Sequence, residues 1–160
     1  MNGGFTIRRA TLEDAGAIAE VLRSVEYFTN LSELPFGECC QRVTQHLQDC
    51  LSDDSHSVYV ALDEHQRVVG YISVHWLPYL FLPGPEGYIS ELFVHAWARG
   101  QGAGSQLLTE VKREAEARGC HRLSLINIRK RESYRRGFYR KDGWTEREDA
   151  ANFVYTFERD

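Results

Sequence analysis

No run of apolar residues in this sequence is long enough to cross a bilayer. The first residues, MNGGFTIRRA, lack the apolar core of an export signal. There is no Cys-x-x-Cys pair, and Cys39, Cys40, Cys50 and Cys120 hold no zinc spacing with the six scattered histidines. The thiols therefore read as reduced and structural, and no metal site is expected. Nor is there an excess of positive charge. Nineteen Lys and Arg stand against 23 Asp and Glu, a net charge of −4, which excludes bulk binding of nucleic acid but not a local basic site. Repeats, low-complexity tracts and linkers are absent as well. The expectation is a cytoplasmic chain with no membrane and no nucleic-acid partner. Its 160 residues are 42% hydrophobic and 12% aromatic, enough for one domain, 1–160, around a single core.

The most informative stretch is 87–118. Gly87 to Val94 reads as a strand, because Tyr88, Ile89, Leu92, Phe93 and Val94 favour β structure. A short connector leads to three alternate glycines, Gly100, Gly102 and Gly104. A helical pattern follows at once, with Ala103, Leu107, Leu108, Val111 and Ala115 on one face and Glu110, Lys112, Arg113, Glu114 and Glu116 largely outside it. A glycine turn between strand and helix presents free backbone N–H groups at a positive helix end, a natural seat for phosphate oxygens. A dinucleotide fingerprint fits poorly, since Ser105 stands where the third glycine belongs, and a Walker loop fails because no lysine separates Gly104 from Ser105. Arg-x-x-Gly-x-Gly is met by Arg99, Gly102 and Gly104. A plain connector is the duller reading, but each glycine adds chain entropy that folding must overcome.

Along the rest of the chain, Phe5 to Arg9 is a strand, and Thr11 N-caps a helix carrying Ala15, Ile18, Ala19, Leu22 and Val25. A second amphipathic helix spans about Gly37 to Leu51, with Cys40, Val43, Leu47 and Cys50 or Leu51 inward. Ser57 to Leu62 and Arg67 to Trp76 form a hairpin around Asp63-Glu64-His65-Gln66. An aromatic loop with Tyr79 and Phe81 precedes the Gly87 strand. Gly119 closes the glycine-led helix. Arg122 to Ile128 is a strand, Glu132 to Lys141 a helix, and Trp144 to Arg147 and Phe153 to Phe157 are two last strands. The order β-α-α-β-β-β-α-β-α-β-β predicts an α/β chain with a mixed, mostly antiparallel sheet and helices on both faces. The unit from Gly87 to Ile128 should be parallel and right-handed.

This order, with Glu91-Leu92-Phe93-Val94 through Arg99-Gly100-Gln101-Gly102-Ala103-Gly104-Ser105 and Phe138-Tyr139-Arg140-Lys141-Asp142-Gly143-Trp144, resembles the GCN5-related N-acetyltransferase (GNAT) superfamily across nearly the whole chain. The resemblance implies acetyl-CoA as donor and direct acyl transfer to an amine. It implies a diphosphate held by the backbone from Arg99 to Ser105, a pantetheine arm paired with the backbone at Phe93 and Val94, and central strands that splay apart there. Tyr139 matches the family's tyrosine that faces the cofactor sulfur. Tyr134 is the alternative, and on one helix the two would lie about 140° apart. Family members commonly carry an asparagine before this helix. Glu132 stands in that place here, and Asn127, at the strand end, is the candidate for cofactor contact. The basic run Arg129, Lys130, Arg131, Arg135, Arg136, Arg140 and Lys141 offers phosphate contacts or, residue by residue, a solvated face.

The chemistry asks for two groups. An alkylamine with a pKa near 10 is protonated at neutral pH and must lose a proton before attack, so a proton acceptor is required. Glu91, a carboxylate amid apolar strand neighbours, is the candidate, against a merely structural glutamate. The departing thiolate needs a donor, and the Tyr139 phenol suits a hydrogen bond better than full proton transfer. The acceptor pocket is expected around Val25 to Gln48, with Glu26, Tyr27, Phe28, Glu33 and Glu38, and with His75, Trp76 and Tyr79 as a further wall. The reading is an acetyl-CoA-dependent N-acetyltransferase acting on a small-molecule amine. The alternatives are a protein N-terminal or lysine acetyltransferase, a non-catalytic CoA-binding module, and a nucleotide-binding protein of another family. The resemblance also raises a homodimer, for which the sequence offers no interface.

Overall fold

In the computed structural model, which describes residues 4–159, five strands build one sheet in the order β1-β2-β3-β4-β5. They are β1 (Thr6–Arg9), β2 (His56–Leu62), β3 (Val68–Leu77), β4 (Glu86–Val94) and β5 (Arg122–Leu125). The first four are antiparallel neighbours, and β4 pairs with β5 in parallel, as the crossover between them requires. That crossover contains α4 (Ala103–Ala117). Between β1 and β2 lie α1 (Ala15–Arg23), the single turn α2 (Thr29–Ser32) and α3 (Phe36–Leu51). The mixed sheet with helices is the predicted class. The described residues divide into two compact units, one ending at Ile126 and one starting at Asn127.

Alternation along β2 sorts the first unit into layers. Val58, Val60 and Leu62 join Tyr71 of β3, Ile18, Val21 and Leu22 of α1 and Leu47 of α3 in one apolar core. Ser57 and Tyr59 point the other way and hydrogen-bond to Glu114 of α4. The helices thus flank both faces. The start of α1 is secured by Asp14, whose carboxylate accepts the Thr11 N–H at 2.8 Å and a two-pronged bond from Arg8 at 2.8 and 2.9 Å. The β2–β3 turn is set by Asp63, which accepts the N–H groups of His65 and Arg67 at 2.9 Å each.

Glu114 differs from the expectation of an outward position. It is buried, because the sheet beneath it offers donors: Ser57 Oγ at 2.9 Å, Tyr59 OH at 2.6 Å, Arg9 at 2.6 Å and Arg118 at 3.0 Å. Burial pushes its carboxyl up, but the bonds from Tyr59, Ser57 and Arg118 and the charge of Arg9 outweigh this and hold it below the usual carboxylate range. A depressed pKa adds stability above the unfolded-state value, and that stability is lost as pH falls through the lower folded value. Glu114→Ala leaves the buried Tyr59 hydroxyl without its acceptor and takes one partner each from Ser57, Arg9 and Arg118, and chemical denaturation should show a loss of about 1–3 kcal/mol at neutral pH. The acid-side slope of stability against pH should flatten in the same variant.

Several boundaries move. In α3 the fully buried cysteine is Cys39, not Cys40, which is half-buried. Strand β5 ends at Leu125 rather than Ile128. In the second unit the expected helix from Glu132 to Lys141 is two single turns, α5 (Glu132–Arg135) and α6 (Phe138–Lys141), broken at Gly137, whose φ of +67° leaves the right-handed helical region. The 140° separation of Tyr134 and Tyr139 therefore does not apply. Trp144 to Arg147 and Phe153 to Phe157 are not strands: neither has a ladder partner among the described residues. Phe153, Val154, Tyr155 and Phe157 are 92%, 77%, 82% and 74% exposed, so β propensity alone has not produced pairing. Among the described residues no helix is long and apolar enough to cross a membrane, and no group of His, Cys, Asp or Glu could hold a metal ion.

Candidate active site

The ladder between β4 and β5 runs from Glu86↔Arg122 to Ile89↔Leu125 and stops there. An ion pair between Glu86 and Arg122 fixes its first rung. From Glu91 to Val94, β4 keeps its pairing with β3 but has no β5 rung. This leaves an extended backbone edge that an amide-bearing chain could join as an added strand. Phe93 turns its ring into the α1/α3 core, 5.1 Å from Phe28 and 6.1 Å from Tyr71 between centroids, so the edge is held rigidly.

The chain then leaves the sheet through one short 3-10 turn, Ala96–Ala98, and enters the glycine turn. Gly100 and Gly102 have φ of +76° and +96°, a region in which L side chains are strained. Gly102 is the N-cap of α4 and its carbonyl accepts the Gln106 N–H at 3.1 Å, the first bond of the helix. No side chain caps this end. The N–H groups of Ala103, Gly104 and Ser105 belong to the helix's first turn, where no intrahelical acceptor exists. Gly104 adds no side chain among them. Arg99 folds back to the Val94 carbonyl at 3.3 Å, and Gln101 to that of Trp97 at 3.3 Å. The turn is thus a concave run of backbone donors at a positive helix end, suited to a diphosphate.

Glu91 sits where β4 is irregular. Glu91 pairs with Ser73 and Ile89 with Val74, so Ser90 is an extra residue, a β-bulge. Glu91 receives the Tyr71 hydroxyl at 2.9 Å, on the face covered by α1 and α3. Burial and the neighbouring carboxylate hold the Tyr71 phenol well above its ordinary pKa, so it remains a donor. Tyr71 was missed by sequence reading. Its position in β3 gives no hint of Glu91 until the register and the bulge are known.

On the same side a shallow cavity of about 360 Å³ is lined by Glu20, Arg23, Ser24, Phe36 and His95. Only Phe36 falls in the stretch expected to shape the acceptor pocket. His95 Nδ1 is buried without a hydrogen-bond partner among the described residues, and burial lowers the imidazole's pKa. Ser24 Oγ accepts the Ala96 N–H at 3.3 Å, linking α1 to the connector.

Two predicted site residues lie in the second unit. Asn127 accepts the Ser133 hydroxyl at 3.1 Å. Tyr139 stacks edge-on with Phe138 and Trp144, and burial pushes its phenol up to about 12. Tyr134 is differently placed: it donates to Glu146 at 2.9 Å, a carboxylate shared with Arg129 and Arg140. These two basic residues therefore act in a local network. Glu91, Phe93, Val94, Arg99, Gly100, Gln101, Gly102, Ala103, Gly104 and Ser105 are brought together in the first unit along β4 and the start of α4.

The chain belongs to the acetyltransferase (GNAT) family, whose model matches residues 23–144. It is 39% identical over 79 residues to an aminoalkylphosphonate N-acetyltransferase of Salmonella typhimurium, a match taking in 49% of this chain and 50% of that protein. The aligned part thus spans about half the length of that relative. Among solved structures, a transcriptional regulator from Bacillus halodurans C-125 superposes with a TM-score of 0.82 at 25% identity, covering 96% of this chain and 100% of that one. An aminoglycoside acetyltransferase from an uncultured soil metagenomic sample superposes with a TM-score of 0.73 at 26% identity, covering 96% and 97%.

Proposed function

We propose that this chain is an acetyl-CoA-dependent N-acetyltransferase that transfers the acetyl group directly to a primary amine of a small molecule, with residues 1–160 acting as one catalytic domain. The observation that carries this is the sequence of features in the first unit: an unpaired β4 edge, a turn with two glycines at positive φ, and an uncapped α4 N-terminus. These features fit CoA, whose pantetheine arm bears amides and whose diphosphate bears the charge that such a helix end favours. Bound acetyl-CoA supplies an acetyl group activated as a thioester. The N–H groups from Arg99 to Ser105 would hold the diphosphate, and the backbone at Phe93 and Val94 the arm. Glu91, steadied by Tyr71, receives the acceptor ammonium and assists its deprotonation. The Tyr139 hydroxyl, which matches the family's tyrosine, supports the departing thiolate. Asn127 adds a cofactor contact.

A small-molecule acceptor is supported by the names of the two relatives, which act on an aminoalkylphosphonate and an aminoglycoside. The test is thiol release from acetyl-CoA with a panel of amines that includes aminophosphonates, aminoglycosides, polyamines and a peptide N-terminus. Release with the small amines supports the proposal. Release with the peptide alone favours a protein acetyltransferase, and tight CoA binding without release favours a binding module. Tyr139→Phe should lower kcat on the order of 10- to 100-fold, since a single hydrogen bond to a charged group is at stake. Tyr134→Phe should leave kcat within about twofold, as a substitution away from the reacting atoms. Steady-state kinetics of the two variants checks the assignment.

A further inference from the structure

The β4 bulge brings two side chains, not one, to the face covered by α1 and α3. Glu91 bonds to Tyr71, and Ser90 Oγ lies 2.8 Å from His75 Nε2. Tyr71, Ser73 and His75 alternate along β3 on that face, and Ser73, the residue paired with Glu91, is small. Glu91, its rung partner Ser73 and the Ser90–His75 pair thus follow one another on one face of the sheet. An apolar core needs none of these groups, and an isolated structural glutamate would not need the pair.

We propose that His75 is the second proton acceptor of this site, taking through the Ser90 hydroxyl the proton that the acceptor ammonium must lose. This rests on the reading of Glu91 as the carboxylate that receives the acceptor amine. With the imidazole proton on Nδ1, Nε2 accepts the Ser90 O–H. The ammonium passes a proton to Ser90 Oγ as Ser90 passes its own to His75 Nε2. One N–H bond of the ammonium is broken and one formed on the imidazole. The products are a neutral amine, an unchanged serine and an imidazolium, which releases its proton to solvent because His75 is only half-buried. Glu91 contributes the charge that seats the ammonium, and imidazole is the better proton acceptor near neutral pH.

The surroundings keep His75 neutral. Burial and the neighbouring His56, 4.3 Å away between ring centroids, both lower its pKa. His56 is itself held by Ser55 Oγ at 2.6 Å, and Ser55 by Asp53 at 2.5 Å. From β4, Tyr88 faces the His75 ring at 6.2 Å, with Ser90 and Glu91 beyond. From α3, Cys50 lies close enough to Glu91 to feel its charge.

The test is the pH profile of kcat/KM, with an amine that the intact enzyme acetylates, for His75→Gln, His75→Ala, Ser90→Ala and His56→Gln. His75→Gln and Ser90→Ala should lower kcat at pH 7 on the order of 10²- to 10⁴-fold, the usual reach of one proton-transfer group, with CoA affinity unchanged. His56→Gln should move the acid limb to higher pH, and added imidazole should restore His75→Ala but not Glu91→Gln. Ser90 is exposed, so its variant reports even if the His75 variants fold poorly. Retained kcat in Ser90→Ala and His75→Gln with an unmoved limb would overturn the role of His75 and leave acetyl transfer standing. Failure of the intact enzyme to release thiol with any amine would remove both.

Discussion

Gly102→Val should weaken CoA binding on the order of 10²- to 10⁴-fold while leaving the sheet folded, because two misaligned hydrogen bonds to a charged group are each worth about 1.5–3 kcal/mol. The defect is conformational rather than steric. An added Cβ would meet only Gln106 Nε2 at 3.9 Å, but φ is +96° at this position. A β-branched residue does not hold that angle, so the turn relaxes and swings the amides of Ala103, Gly104 and Ser105 out of line. Gly16→Ala in α1 is the control: its Cβ meets nothing within 4 Å and its φ is ordinary, so CoA binding should not change. Calorimetric titration of both variants with CoA gives the comparison. An unchanged affinity in Gly102→Val would mean that the turn does not hold the ligand.

Glu91→Gln should reduce kcat/KM on the order of 10²- to 10⁴-fold at pH 7, the range expected for a group that handles the reacting proton. The substitution preserves shape, and Tyr71 still finds an oxygen to donate to, so stability and CoA affinity should hold. What disappears is the negative charge that seats an ammonium. The deficit should therefore shrink as pH rises toward the acceptor's own pKa of about 10, where the amine arrives neutral. A deficit independent of pH would point to lost packing. Tyr71→Phe separates the two: it keeps the charge but frees the carboxylate to rotate, so its loss should be smaller than that of Glu91→Gln.

The strand, glycine turn and helix between Gly87 and Ala117 were legible in the sequence because each is a local decision: alternation, backbone freedom and a 3.6-residue stripe. What lay beyond local pattern was not. Tyr71 meets Glu91, and His75 meets Ser90, only through a register shift that no run of residues spells out. Glu114 looks solvent-facing on a helical wheel, and is buried because a serine, a tyrosine and Arg9 from other elements meet it, together with Arg118 at the end of its own helix. Gly137 falls inside the helix expected from Glu132 to Lys141, but it takes a left-handed conformation and ends α5. The Phe153 to Phe157 segment has the composition of a strand without a partner to pair with.

Assigning the backbone amides and titrating the protein with CoA tests the central idea most directly. The account predicts that the N–H resonances of Gly100, Gly102, Ala103, Gly104 and Ser105 shift most strongly and move with saturation. CoA binding that leaves those resonances in place would contradict it.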